Sequence, residues 1–168
     1  MTKHVKWLFG AFIALSGFNP VLASILPSQM QVTATVTPGC SGLQVSSLSF
    51  GAVPASNARP SGTATITVFC AQGVPYDITL SNGNNDPVPF YSQARRMSDG
   101  AGNFLDYDIF VDPEHAKPWH DGIAINTFKQ VGIGNGSAQQ YTAYGEARPQ
   151  TSQAAGNYSD SVEVDLNF

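Results

Sequence analysis

The densest run of side chains able to do chemistry is Asp112-Pro-Glu114-His115-Ala-Lys-Pro-Trp119-His120-Asp121. Its two imidazoles and three carboxylates carry the donor atoms a divalent metal needs. The spacing follows no ligand pattern, however, and Pro113 and Pro118 stiffen what reads as a solvated loop turned by Asp121-Gly122. No metal ligands are assigned. Trp119, His120 and Asp121 stay as a candidate ligand surface, because an exposed indole beside acids can stack on a sugar. Tyr91 and Tyr107 would extend that platform, although Tyr107 alternates with apolar residues and is expected to be buried. A hydrolase of the nucleophile-elbow kind places its serine in a Gly-x-Ser-x-Gly context, and no serine here sits in one. Gly132-Ile-Gly134-Asn-Gly136 lacks the lysine and following helix of a phosphate loop and reads as a flexible inter-strand loop. No enzyme, cofactor or metal is expected.

Only two cysteines are present, Cys40 and Cys70. Zinc sites want three or four protein ligands. In an oxidising compartment the pair would instead form one disulfide. Closing a thirty-residue loop would stabilise the fold by ~3–4 kcal/mol in the chain-entropy account. The front of the chain agrees with export. Lys3 and Lys6 precede an apolar run from Trp7 to Phe18, and Val21-Leu22-Ala23 offers compact residues for cleavage, so residues 1–23 read as a secretory signal. The run is shorter than the ~20 residues of a spanning helix, and no membrane anchor is expected. Losing Lys3 and Lys6 leaves six bases against 12 acids, moving the net charge from −4 to −6. An acidic chain of low charge density argues against nucleic-acid binding, which needs basic patches.

The elements that would carry these residues are strands. The ~145 residues after the signal suit one domain and show no helical period over three turns. Short alternating runs recur instead: Leu43 to Phe50, Thr63 to Cys70, Tyr76 to Leu80, Phe104 to Val111 and Gln139 to Tyr144. Turn signals punctuate them at Asn82-Gly83, Ser98-Asp99-Gly100 and Asp121-Gly122. Many short antiparallel strands with such turns imply a sandwich or barrel.

Two further runs stand out. From Gly156 to Phe168, Tyr158, Val162, Val164, Leu166 and Phe168 share one parity, and Asp160 is the polar exception. This is a half-buried strand, expected either to pair on both sides or to lie at a sheet edge that something covers. Near the front, Leu26, Met30, Val32, Ala34 and Val36 share a parity, with Ser28 the polar break. That is a second strand, about 11 residues and ~36 Å long, broken off by Thr37-Pro38-Gly39 before Cys40. The chain thus has a detachable apolar strand at the front and an uncovered strand at the back.

Taken in order, these landmarks resemble the spore coat protein U domain family, shared by subunits of archaic chaperone–usher pili. The matching residues are Cys40, Phe50-Gly51, Ile66-x-Val68-x-Cys70, Tyr76-x-Ile78-x-Leu80, Arg96-Met97 and Leu105-x-Tyr107. They continue with Trp119-x-Asp121-Gly122, Tyr144-Gly145 and Gly156-x-Tyr158-x-Asp160-x-Val162-x-Val164. His120, where the family usually has Gly, and Glu146-Ala147, where it has a basic then a β-branched residue, depart from the pattern. The resemblance implies an all-β fold: an incomplete immunoglobulin-like antiparallel β-sandwich completed by a donor strand. Residues 24–39 would be the donor extension, with Leu26, Met30, Val32, Ala34 and Val36 as its apolar face, and 40–168 the pilin domain. Val162, Val164, Leu166 and Phe168 would line the acceptor groove. A periplasmic chaperone, an outer-membrane usher and neighbouring subunits are the implied partners, with export through the periplasm to a cell-surface or secreted fibre that supports adhesion and biofilm formation. The competing reading is a self-contained secreted sandwich that binds a carbohydrate or other surface ligand, with Gln29 to Val36 folded back on its own sheet. A spore-coat-type structural protein is a further alternative.

Overall fold

The computed structural model describes residues 24–86, 95–122 and 127–168. The signal assigned to residues 1–23, and Tyr91 of the proposed stacking platform, lie outside them. The chain divides into two units between Thr35 and Val36, and all eight strands belong to the second. They are β1 (Cys40–Val45), β2 (Ser61–Cys70), β3 (Pro75–Leu80), β4 (Arg95–Ser98), β5 (Phe104–Phe110), β6 (Gln130–Ile133), β7 (Ala138–Arg148) and β8 (Val164–Asn167).

Two sheets result, one of five strands in the order β1-β2-β7-β5-β4 and one of three in the order β6-β3-β8. All strand pairs are antiparallel. The cause is the period-2 pattern. Ala64, Ile66, Val68 and Cys70 of β2, Tyr76, Ile78 and Leu80 of β3, and Leu105, Tyr107 and Ile109 of β5 are all buried. All of these but Leu105 close on one another in the core of a sandwich. Cys40 and Cys70 sit opposite each other in the β1–β2 register and are joined by the one disulfide. It ties the start of β1 to the end of β2.

Three sequence expectations change. The strand read from Leu43 to Phe50 ends at Val45. Beyond it Leu48 and Phe50 leave the ladder and pack onto Gly145 of β7, where even a Cβ would approach Leu48 Cδ1 to 2.8 Å. Gly132 and Ile133, read as part of a loop, belong to β6 and pair with Tyr76 and Pro75 of β3. Gly132 is required there, because a side chain would meet the Tyr76 and Tyr141 hydroxyls, which hydrogen-bond each other at 2.6 Å.

The third change concerns the last strand, which is not continuous. Ser159 bridges to Ser98 at the end of β4, in the five-stranded sheet, whereas β8 pairs with β3 in the other. The chain changes sheets between them at Asp160, the one polar residue of the apolar series. Its Oδ2 accepts from the Tyr107 hydroxyl at 2.8 Å, and its Oδ1 from Asn84 N, Asn85 Nδ2 and Ser161 N at 2.9–3.0 Å. A carboxylate can take that many donors at once where an apolar side chain can take none.

Candidate functional site

The site follows from how β8 is paired. Ser81 N donates to Glu163 O and Glu163 N to Ser81 Oγ, and the β3–β8 register continues as Leu80↔Val164, Thr79↔Asp165, Ile78↔Leu166 and Asp77↔Asn167. In an antiparallel ladder alternate residues direct their backbone groups to opposite sides. Glu163, Asp165 and Asn167 therefore face β3, while Val162, Val164 and Leu166 direct N–H and C=O the other way. Among the described residues no strand pairs along that side, since β8 is the edge of its sheet. The side chains of the same three residues are half-buried and pack against the core. One stretch thus presents both an apolar face and a row of open main-chain groups.

Beside it lies a cavity of about 420 Å³. Val45 to Leu48 and Phe50 form one wall, and Tyr158 to Val162 with Val164 the other. Its floor is the core itself: Ala64, Ile66, Leu80, Tyr107, Ile109 and Ala143. Protein interiors hold few voids larger than a water molecule, whose share of liquid volume is about 30 Å³. The opening here is more than ten times that size and reaches the central core residues.

Of the groove residues expected from sequence, Val162 and Val164 line this cavity and Leu166 packs on the core beside it. Phe168 stands apart, 68% exposed, in a recess with Pro75, Tyr76, Val131, Gly132 and Ile133. Leu48, Phe50 and Asp160 also belong to the walls. Sequence marked Asp160 as a break in parity and Phe50 as a family landmark, but nothing marked Leu48 or Phe50 as a wall of the groove. The extension carrying Leu26, Met30, Val32, Ala34 and Val36 contains no strand, and its larger apolar side chains are 85–91% exposed. Five apolar side chains so exposed on one short segment are unusual for a chain with nothing to cover them.

The candidate ligand surface at Trp119 and His120 is corrected. Trp119 is fully buried, its indole N–H donating to Ile78 O at 2.9 Å, so the ring offers no stacking face. His120 is 3% exposed, with Nδ1 2.8 Å from Asn82 Oδ1. Asp121 alone remains at the surface. A buried Arg95 lies beneath both residues: its guanidinium donates to Asp108 Oδ1 at 2.9 Å, Ser81 O at 2.9 Å and the main-chain Trp119 O at 2.7 Å, and lies 3.4 Å from His120 Nε2. Burial pulls the Arg95 pKa down from its ordinary value and Asp108 opposes that shift. The other acids of the cluster serve the loop: Asp112 accepts from Ala116 N and Lys117 N. Among the described residues no three His, Cys, Asp or Glu side chains converge as a metal site would require.

The fold and site define a class: an immunoglobulin-like β-sandwich in which an edge that no described strand pairs lies beside an opening to the core. The family model of the Spore Coat Protein U domain matches residues 26–165, and the chain belongs to that family. No protein with a curated description matches it. Among solved structures it is similar to the CsuC–CsuE chaperone–tip adhesion subunit pre-assembly complex from archaic chaperone–usher Csu pili of Acinetobacter baumannii. The TM-score is 0.59 and the identity 23%, over 80% of this chain and 40% of that one. A chaperone–tip adhesin complex of CFA/I fimbriae biogenesis aligns at TM-score 0.40 and 9% identity, over 74% of this chain and 42% of that one. The chain therefore spans about two fifths of the solved chains it matches, and the likeness speaks to fold.

Proposed function

We propose that the protein is a structural subunit of an archaic chaperone–usher pilus that polymerises by donor-strand exchange. Its extension, residues 24–39, enters the groove of a neighbouring copy, pairs along the open side of Val162 to Phe168 and buries Met30, Val32, Ala34 and Val36. One observation carries this reading: an unpaired edge over an opening to the core occurs in the same chain as an exposed segment of matching parity. Burying the donor's apolar side chains contributes ~5–10 kcal/mol before ordering costs, with main-chain hydrogen bonds in addition. Each subunit gives to one neighbour and receives from another, so the contact is heterologous and builds open filaments rather than closed dimers. Before assembly the same edge needs a temporary occupant, the role of a periplasmic chaperone, and an outer-membrane usher delivers the subunit to a surface fibre that supports adhesion and biofilm formation. Substituting Val32→Asp and Ala34→Asp together puts two charges on the buried face of the donor. Fibres should be lost while chaperone binding persists; normal fibres from the double variant would overturn the donor assignment.

A further inference from the structure

The three-stranded sheet has a second outer strand besides β8, and it lies away from the groove. This is β6, Gln130–Ile133. Its ladder to β3 fixes which way its main chain points. Gly134 N donates to Val74 O at 2.7 Å and Gly73 N to Gly134 O at 2.8 Å, and the register continues as Gly132↔Tyr76 and Gln130↔Ile78. Alternation along an antiparallel strand turns Gln130 and Gly132 toward β3, and Val131 and Ile133 away from it. No described strand lies on that outer side. Val131 and Ile133 are also 62% and 65% exposed. Apolar side chains on an unpaired edge are what a further strand pairs with. Gln139 of β7 reaches only the end of this edge. Its Nε2 donates to Ile133 O at 3.1 Å, while its Oε1 is the one buried side-chain acceptor among the described residues that lacks a donor. Buried polar groups are normally paired, so the edge is unfinished in a single copy.

The edge is complementary to itself. A two-fold axis at Gly132 sets Val131 of one copy against Ile133 of the other, and the reverse, which is an isologous contact. Both members of each pair have outward main-chain groups, so each pair can exchange N–H···O bonds in both directions. Ile133 O keeps a second lone pair for this beside the one that Gln139 uses. Glycine puts no side chain on the axis, and Lys129 falls opposite Asn135, so no like charges meet. The contact is small. Two side chains and three residues of edge fall far short of the roughly 800 Å² per partner that a stable interface buries. Two lone copies would separate. A row of such contacts, one per subunit along two fibres, would hold, because once the first forms the rest close at high effective concentration.

We propose that β6 joins fibres side by side, pairing antiparallel about Gly132 with β6 of a copy in another fibre. This rests on the pilus reading above, since repetition along the fibre supplies the strength. The β8 edge then builds the fibre, and the β6 edge holds one fibre to the next.

Fibres assembled separately from Val131→Cys and from Ile133→Cys chains test this. Both positions are exposed, so neither change should disturb the fold. The two fibre samples are mixed and oxidised at high salt, which screens the acidic subunits from one another. The mixture should give several-fold more thiol-sensitive dimer on a denaturing gel than either sample oxidised alone, because only the mixture sets position 131 against position 133 with a thiol on each. Equal yields from the mixture and from each sample alone mean chance collisions of exposed thiols and overturn the pairing. Fibres of normal appearance that give no dimer overturn it as well, and both results leave strand exchange intact. Chains that never form fibres, substituted or not, bring down this inference and the pilus reading together.

Discussion

Replacing Asp160 asks whether one carboxylate lets the chain pass from one sheet to the other and so holds the groove wall in place. The side chain accepts four hydrogen bonds. Alanine removes both acceptor oxygens and so all four bonds. Tyr107 is 4% exposed, so its hydroxyl would be left without this partner in the interior, at about 1–3 kcal/mol. Asn84 N and Ser161 N are exposed and can turn to water, costing only about 0.5 kcal/mol each, and half-buried Asn85 adds a similar amount. The expected loss for Asp160→Ala is therefore about 3–4 kcal/mol. Asparagine keeps Oδ1 for three donors but turns an N–H toward the tyrosine oxygen, so the Tyr107 proton loses its acceptor and the charge assistance goes with it, about 1–2 kcal/mol. The assay is urea unfolding of the domain with residues 25–36 grafted behind Phe168, which under the donor-strand proposal fills the groove and keeps the protein monomeric. Equal midpoints for the alanine and asparagine variants would refute the reasoning, since the carboxylate would then be organising nothing.

Other perturbations follow from the same structure. Arg95→Met should cost about 3 kcal/mol because it removes the buried cation from Asp108, whose side chain is 7% exposed and keeps only Ile109 N and Arg148 at 3.9 Å; adding Asp108→Asn should recover part of that loss in the same unfolding assay. Replacing Cys40 and Cys70 together by alanine should lower stability by about 3 kcal/mol through the thirty-residue loop, read as a shifted urea midpoint. Lys129 bonds Asp77 at 2.8 Å and holds its pKa below the ordinary carboxylate value; burial opposes that shift and the Asn167 amide adds to it. Stability from a depressed carboxylate is present above its unfolded pKa and disappears as pH falls through the folded value. Lys129→Met should thus cost up to about 1 kcal/mol near neutral pH, the pair being half-exposed, and nothing once Asp77 is protonated; denaturant titrations at the two pH values read the difference.

The strands were legible wherever one face is wet. Ala64-Ile66-Val68-Cys70 and Tyr76-Ile78-Leu80 are buried as their parity requires, and Tyr107 is in the core as its neighbours implied. β5 shows the limit of parity: Asp108 and Phe110 on its other face are buried too, Asp108 where Arg95 reaches it across the β4–β5 pair and Phe110 against the His115 ring. A charged side chain beside a second arginine and a turn gives no sign that it will enter a core. Trp119 was read too far outward for a related reason. Its neighbours are acids, prolines and histidines, and only the fold shows that the indole N–H reaches Ile78 O. The groove was half legible. Val162, Val164 and Leu166 announce themselves by alternation, whereas Leu48 and Phe50 face them only because Gly145 makes room, a contact across 95–97 residues that no local pattern encodes.

The central claim is that this sandwich takes its missing strand from another chain. Thermal unfolding and size distribution should be measured for residues 24–168, for a form starting at Thr37, and for that form with residues 25–36 grafted after Phe168 through a flexible linker. The account predicts an unstable truncated domain, a stable grafted monomer and a polymer from residues 24–168. A stable monomer from residues 24–168, with the graft adding nothing, would contradict it.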